Sequence, residues 1–367
     1  MSKGDGAVGR ACSDRKTDGQ LLKARVAPGV ELVEDPKGLF ELQISKPVGS
    51  GSMRGRALSR GLFIALVDFT CTRCPNIPSD TPLQLPSFSS GMWLTVNLCW
   101  EGRCEVDIPD GGLGVVAAGD LCVSYSRKRP AEFRYPSGRY RGVELFVNDR
   151  VAEEPAFSLL GTGDNAIRRI ARKAGPAAVL AGDAELNGRM ERLAALLDAN
   201  DDAMAEYEVL GLLLGLQRRD LSTTKPRFLL TRAQMGMAAA ARDEMERALS
   251  ARHDARTMAA AFGVSATSPN EYFTRAYGST IATYLRRRRM EEAATQLAQG
   301  AKVTEAATYV GYANPSKFAA AFKKAYGVPP REWKHASGMG LRSVYPRQPW
   351  DWQPFSAQHK RTILPEY

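Results

Sequence analysis

Phe273-Thr274-Arg275-Ala276-Tyr277-Gly278 returns 49 residues later as Phe322-Lys323-Lys324-Ala325-Tyr326-Gly327. Upstream of each copy lies a second matching pair. Met258-Ala259-Ala260-Ala261-Phe262-Gly263-Val264 corresponds to Ala306-Ala307-Thr308-Tyr309-Val310-Gly311-Tyr312. Self-similarity of this kind marks a duplicated structural unit. Each copy reads as a short helix, a glycine turn and a second helix that stops at glycine. Asp254 is placed to N-cap the first helix. Ala259 and Ala307 are small where two helices must cross closely. Gly263 and Gly311 stand where a helix must end in a left-handed turn, and Asn314-Pro315 makes an N-cap and N1 pair for the next helix. This is the layout of a helix-turn-helix, whose second helix enters the DNA major groove. Residues 281–293, with Arg286–Arg289 at their centre, read as one long helix joining the units.

The charge agrees with this placement. The chain of 367 residues carries a net charge of +10. Residues 226–335 hold 17 Lys/Arg against 9 Asp/Glu, while residues 1–225 hold 29 of each. The excess therefore sits on the duplicated block, which narrows the argument for a polyanionic partner to that block.

Residues 236–335 also resemble a known family. Tyr284-Leu285, Met290 and Ala293 are followed by Val303, Glu305, Ala307, Val310-Gly311-Tyr312, Asn314, Ser316, Phe318, Phe322-Lys323-Lys324, Gly327 and Pro330. This pattern is similar to the two-helix-turn-helix domain of AraC/XylS-type transcriptional regulators. The wording of residues 311–318 is nearest to the siderophore-responsive subgroup. The resemblance implies a cupin-like sensor in front of the DNA-binding domain, a small-molecule effector, and control of nearby promoters. In most such regulators that means activation through RNA polymerase.

The resemblance also places the contacts with double-stranded DNA. In the second unit the base-reading positions fall on Asn314, Ser316, Lys317 and Ala320. Lys317 can donate to guanine and Ser316 to several bases, whereas Ala320, where relatives often carry Arg, offers only an apolar contact. In the first unit they fall on Thr267, Asn270 and Glu271. Asn270 suits adenine, but Glu271 replaces what is often Arg and repels phosphate. Pro269 stands where Leu is usual, and it predicts a delayed recognition helix with Ser268 as N-cap and Pro269 as first helical residue. Arg275, Lys323 and Lys324 lie near the ends of the recognition helices and are phosphate candidates. At most two of Arg286–Arg289 can face DNA, and the others are expected to pair with Glu291, Glu292 or solvent.

The rest of the chain has a different texture. Residues 1–25 read as a flexible leader. Residues 26–150 read as a β-rich effector-sensing domain, a cupin-like barrel or sandwich built of short strands. Within it Glu101-Gly102-Arg103 reads as a tight turn between the strand 93–100 and a returning strand 104–108. Residues 151–225 read as helical, with Leu186, Met190, Leu193, Leu196 and Leu197 at helical spacing. They form a linker with a possible homodimer face, although packing within the chain is the simpler use of those residues. Lys225-Pro226 reads as a linker, residues 226–335 as the DNA-binding domain and residues 336–367 as an irregular tail. The fold class is therefore α+β and multidomain.

The sensor offers few chemical signals. Trp93, Trp100 and Phe69, with Phe133 and Tyr135, could line an aromatic pocket, although aromatic residues in strands are more often core. Arg127-Lys128-Arg129 and Arg134 could meet an anion. Cys71 and Cys74 have metal-ligand spacing, and Cys99 and Cys104 could complete a thiolate site or a redox switch. The plainer reading makes them small buried hydrophobes. All three histidines, His253, His335 and His359, lie outside the presumed sensor. That argues against cupin-type metal catalysis, against a Ser-His-Asp arrangement, and so against an enzyme or any resident cofactor. Without an apolar span or secretory signal, the sequence reads as cytoplasmic and without a membrane partner. Two rivals stand beside a DNA-binding regulator. One is an interaction protein whose first helix-turn-helix has decayed, and the other is a cysteine-based metal or redox sensor.

Overall fold

The computed structural model describes residues 22–34, 39–59, 61–74, 92–108, 112–126, 134–161, 165–199, 201–224, 226–253 and 255–333. The expected leader up to residue 21, the tail from residue 336, Asp254, Phe133, Arg127–Arg129, His335 and His359 lie outside the described residues.

The N-terminal part is an antiparallel sheet. Its strands are β1 (Leu22–Ala27), β2 (Val30–Glu34), β3 (Leu39–Ile44), β4 (Ser50–Ser59), β5 (Leu62–Thr70), β6 (Trp93–Asp107), β7 (Leu113–Ala117), β8 (Asp120–Ser126), β9 (Tyr140–Asn148), β10 (Ala177–Ala181) and β11 (Phe228–Leu230). They run in the order β1-β2-β3-β4-β5-β9-β6-β7-β11, with β8 on β6 and β10 on β8. The central strands are apolar along nearly their whole length because both faces are covered. In β5, Phe63, Val67 and Phe69 enter one core while Leu62 and Ile64 enter the other.

The expected turn at Glu101-Gly102-Arg103 does not form. β6 runs straight through it, and its register against β9 shifts between Cys99 and Glu101, a β-bulge. Gly102 has φ +88°, and a Cβ there would lie 1.8 Å from the Arg139 carbonyl oxygen. One extra residue bends a strand without reversing it. Residues 93–98 of β6 therefore pair with β8, and residues 103–107 with β7.

Helices α1 (Ala166–Ala174), α2 (Ala184–Ala199) and α3 (Asp202–Arg218) cover one face of the sheet. Leu186, Met190, Leu193 and Leu197 are buried there with Val209, Leu212 and Leu213, so the helical spacing serves packing within the chain. The segment expected to be helical also holds β10, where Ala177, Ala178, Val179 and Leu180 are buried against β8. Glu208 of α3 is buried, and Arg189 and Arg192 of α2 donate to it at 2.7–3.1 Å.

Among the described residues after β11, the regular structure is all helical. It comprises α4 (Arg232–Arg247), α5 (Ala255–Phe262), α6 (Ser268–Tyr277), α7 (Ile281–Ala298), α8 (Val303–Tyr309) and α9 (Pro315–Tyr326). Two cores form around the ends of α7. One joins Met235, Met245, Phe273, Tyr277 and Tyr284 with Leu113 and Val115 of the sheet. The other joins Met290, Leu297, Val310, Phe318 and Phe322. Of the expected linker, Lys225 lies outside the described residues, while Pro226 is buried and Arg227 pairs with the buried Asp120 just before β11 joins the sheet edge. Among the described residues no helix is long and apolar enough to cross a membrane.

Candidate nucleic-acid interface

The two units form as the repeat predicts. Gly263 and Gly311 adopt φ +65° and +82° at the turns, and Gly278 and Gly327 close α6 and α9 in the left-handed conformation. Ala259 and Ala307 are buried. Phe273 and Phe322, the hydrophobic anchors of the repeated hexapeptide, are fully buried, one in each core.

α9 starts as expected. Asn314 is its N-cap, and its Oδ1 accepts from the Ser316 and Lys317 amides at 2.9 and 3.1 Å. Pro315 occupies the first helical position. That acceptor, expected to read a base, is thus engaged in capping. Ser316, Lys317, Ala320, Lys323 and Lys324 are all exposed, and the three lysines have no acidic neighbour on the helix.

α6 is arranged differently. Its N-cap is Thr267, not the expected Ser268, and Thr267 makes no side-chain cap bond. Ser268 is the first helical residue and Pro269 the second, a position where the missing proline N–H costs no helical bond. Asn270, expected to read adenine, is half-buried. Its Oδ1 accepts from the Ile281 amide at 3.1 Å, at the start of α7. Glu271 is exposed, but Arg275 Nη2 donates to it at 2.5 Å. Arg275 also donates through Nη1 to the Leu229 carbonyl at 3.3 Å.

The arginine run on α7 is mostly structural. Arg288 donates to Glu246 of α4 at 2.7 and 3.0 Å and pairs with Glu291. Burial opposes ionisation of Glu246, but bonds from Arg288 and Tyr284 hold its carboxyl below the usual range. Arg289 donates to the carbonyls of Leu249, Ser250 and Ala251 beyond the end of α4, at 2.7–3.3 Å. Those carbonyl partners were not expected from the sequence. Arg287 lies 3.6 Å from Glu291, with its guanidinium over the Tyr284 ring. Arg286 is exposed, on the wall of a concavity of about 350 Å³ between the units that Arg252, His253 and Tyr312 also line.

In the sheet domain, Phe69 and Trp93 share one buried cluster with Tyr135 and Tyr140, whose rings stack at 4.7 Å. Trp100 does not join them. It lies half-buried against the helix-covered face, 5.4 Å from the Arg141 guanidinium. Strand alternation sends residues 93 and 100 to opposite faces. The sequence reading missed the polar residues of this interior. Asn97 donates to the Tyr140 hydroxyl at 2.9 Å, and Glu144 is buried beside them. The available signal was polar residues in inward register with Trp93.

The cysteines do not make the conceived thiolate site. Cys71, Cys99, Cys104 and Cys122 are buried in the apolar interior, and Cys74 is half-buried beside them. Burial raises the Cys71 thiol to about 11 and those of Cys99 and Cys122 to about 12, and lifts Cys104 well above the ordinary range. The thiolate is the ligating and nucleophilic form, and burial disfavours it at these positions. Among the described residues no group of three or more His, Cys, Asp or Glu side chains is placed to hold a metal ion.

Residues 258–336 match the family described as "Helix-turn-helix domain". No curated protein matches the chain. Solved structures similar to it include the AraC-like transcriptional activator CuxR, at 13% identity over 76% of this chain and 96% of that one, with a TM-score of 0.32. They also include ToxT from Vibrio cholerae strain SCE256 with an unsaturated fatty acid bound, at 9% identity over 75% and 95%, with a TM-score of 0.27. The C-terminal domain of AraT, a response regulator from Geobacillus stearothermophilus, aligns at 24% identity over 34% and 96%, with a TM-score of 0.26. The matched residues cover the glycine turn of the first unit, α6, the joining helix and the whole second unit, so the C-terminal part of the chain carries a helix-turn-helix domain.

Proposed function

We propose that the protein binds promoter DNA in the cytoplasm and adjusts transcription in response to a small molecule, by activation through contact with RNA polymerase. The observation that carries the DNA reading is the exposed face of α9, where Ser316, Lys317, Ala320, Lys323 and Lys324 stand clear of the core. In this reading Ser316 and Lys317 donate to base edges, Ala320 packs on a thymine methyl, and Lys323, Lys324 and Arg286 neutralise phosphates. The two units lie along successive faces of the duplex, roughly 34 Å apart. The effector is received on the interior side of the sheet, where Asn97, Tyr140 and Glu144 supply polar groups in an apolar setting. The exposed Met204 and Tyr207 on α3, one turn apart, support a homodimer through that helix.

Titration of the full chain against a labelled fragment from upstream of its own gene tests the reading. A specific complex is expected, its log affinity falling linearly with log salt. An affinity no higher than for scrambled DNA would favour an interaction protein instead. For the dimer, Tyr207→Glu is expected to convert a two-chain species to one chain in sedimentation, and an unchanged species would remove α3 from the interface.

A further inference from the structure

We infer that the base sequence is read by α9 alone, and that α6 is committed to holding the first unit onto the sheet domain. The inference rests on the DNA-binding reading above and assigns the division of labour within it.

Four observations on α6 converge. The repeat interval sets Pro315, the first residue of α9, opposite Ala266, yet α6 begins at Ser268, two residues later. Thr267, the counterpart of the helical Ser316, is left outside the helix. Asn270 is turned inward onto the Ile281 amide. Glu271 and Arg275, the only charged residues of α6, are paired with each other, and Arg275 is further tied to the Leu229 carbonyl. The three lysines of α9 therefore face a polyanion with net positive charge, whereas α6 presents a pair that cancels. A base contact by either partner would break that pair and bring the Glu271 carboxylate among phosphates.

The other end of α6 shows what it holds instead. Arg103 reaches out of β6 and donates through Nη1 to the Arg275 carbonyl at 2.8 Å. It is 5% exposed, and its guanidinium lies 4.2 Å over the Phe228 ring. It also packs on Gly278, where a Cβ would approach its Nε to 2.8 Å. Leu113 and Val115 of β7 share a core with Phe273 and Tyr277. The C-terminal end of α6 is thus part of a continuous contact with the sheet, while the buried residues of α9 belong to the second unit's own core.

The test is selection of the full chain on double-stranded DNA with a randomised central region, repeated for two variant pairs. All four positions are exposed, and melting curves check that the variants fold. Ser316→Ala with Lys317→Ala is expected to abolish every block of preferred bases, each lost contact reducing discrimination about 5- to 150-fold. If the chain acts as a dimer, two identical blocks are lost together. Thr267→Ala with Glu271→Ala is expected to leave all base preferences intact and to tighten binding to every sequence, since an acidic group near phosphate has gone. A block that survives the first pair, or that shifts with the second, overturns the inference and leaves the DNA-binding reading standing. Absence of any enriched sequence in the unaltered chain overturns both.

Discussion

Asn270 and Asn314 stand near the starts of equivalent helices and cap different things. Asn314 accepts from the first turn of its own helix, α9, whereas Asn270 accepts from the first amide of the next helix, α7. Each satisfies an amide that helix geometry leaves without a partner. Asn314→Ala should destabilise the second unit by about 1 kcal/mol. Asn270→Ala should cost a similar amount. Asn270→Asp, which keeps the acceptor, should cost little. Urea unfolding of the three variants checks this, and an Asp as harmful as Ala at position 270 would mean that the amide nitrogen matters more than Oδ1. On α9, Lys323→Ala should weaken binding to all sequences alike and lower the salt slope by about one, measured by titration at several salt concentrations.

At the scale of elements, the α2–α3 hairpin is joined through a buried carboxylate. The Arg192 hydrogen bond is the main reason the Glu208 carboxyl sits below its usual range, with Arg189 adding to it. A depressed folded pKa means the unfolded chain takes up the proton first as pH falls. The stabilisation is therefore present above the ordinary glutamate pKa and is lost as pH falls through the lower folded value. Thermal melting between pH 7 and pH 3 should show this loss. Glu208→Gln should be less stable at pH 7 and show a shallower acid slope, and a slope identical to that of the unaltered protein would place the acid sensitivity elsewhere. The joining helix α7 follows the same logic, since Arg288 and Arg289 bind the end of α4 and the carbonyls beyond it. That attachment fixes α7 to the helix that opens the first unit.

At the scale of the molecule, the sheet and the first unit share one core, and the second unit has its own. β11 adds to β7, Arg227 and Arg232 pair with Asp120 and Asp107, and Arg103 meets the end of α6. Arg103 comes from the half of β6 beyond the bulge, while Asn97 lies on the half before it, so one strand touches both the polar interior and α6. Arg103→Ala should therefore raise hydrogen exchange in β11 and at the C-terminal end of α6 and leave α8 and α9 unchanged. Uniform deprotection of the C-terminal part would indicate that the two units open together.

The sequence alone determined the duplicated unit. Its glycine turns, alanine crossings, phenylalanine anchors and caps depend on contacts within a few residues, and the repeat displays them twice. The same stretch carried the excess charge, and with it the kind of partner. The tertiary structure decided everything that depends on distant pairing. A glycine in a strand serves a bulge as readily as a turn, and only the Arg139 carbonyl beside Gly102 settled which. The fates of Asn270 and Arg275 were set by Ile281, Leu229 and Arg103, groups 11, 46 and 172 residues away along the chain from the residues they meet. Local pattern shows which residues can reach outward, but whether they remain free depends on what the rest of the chain places beside them.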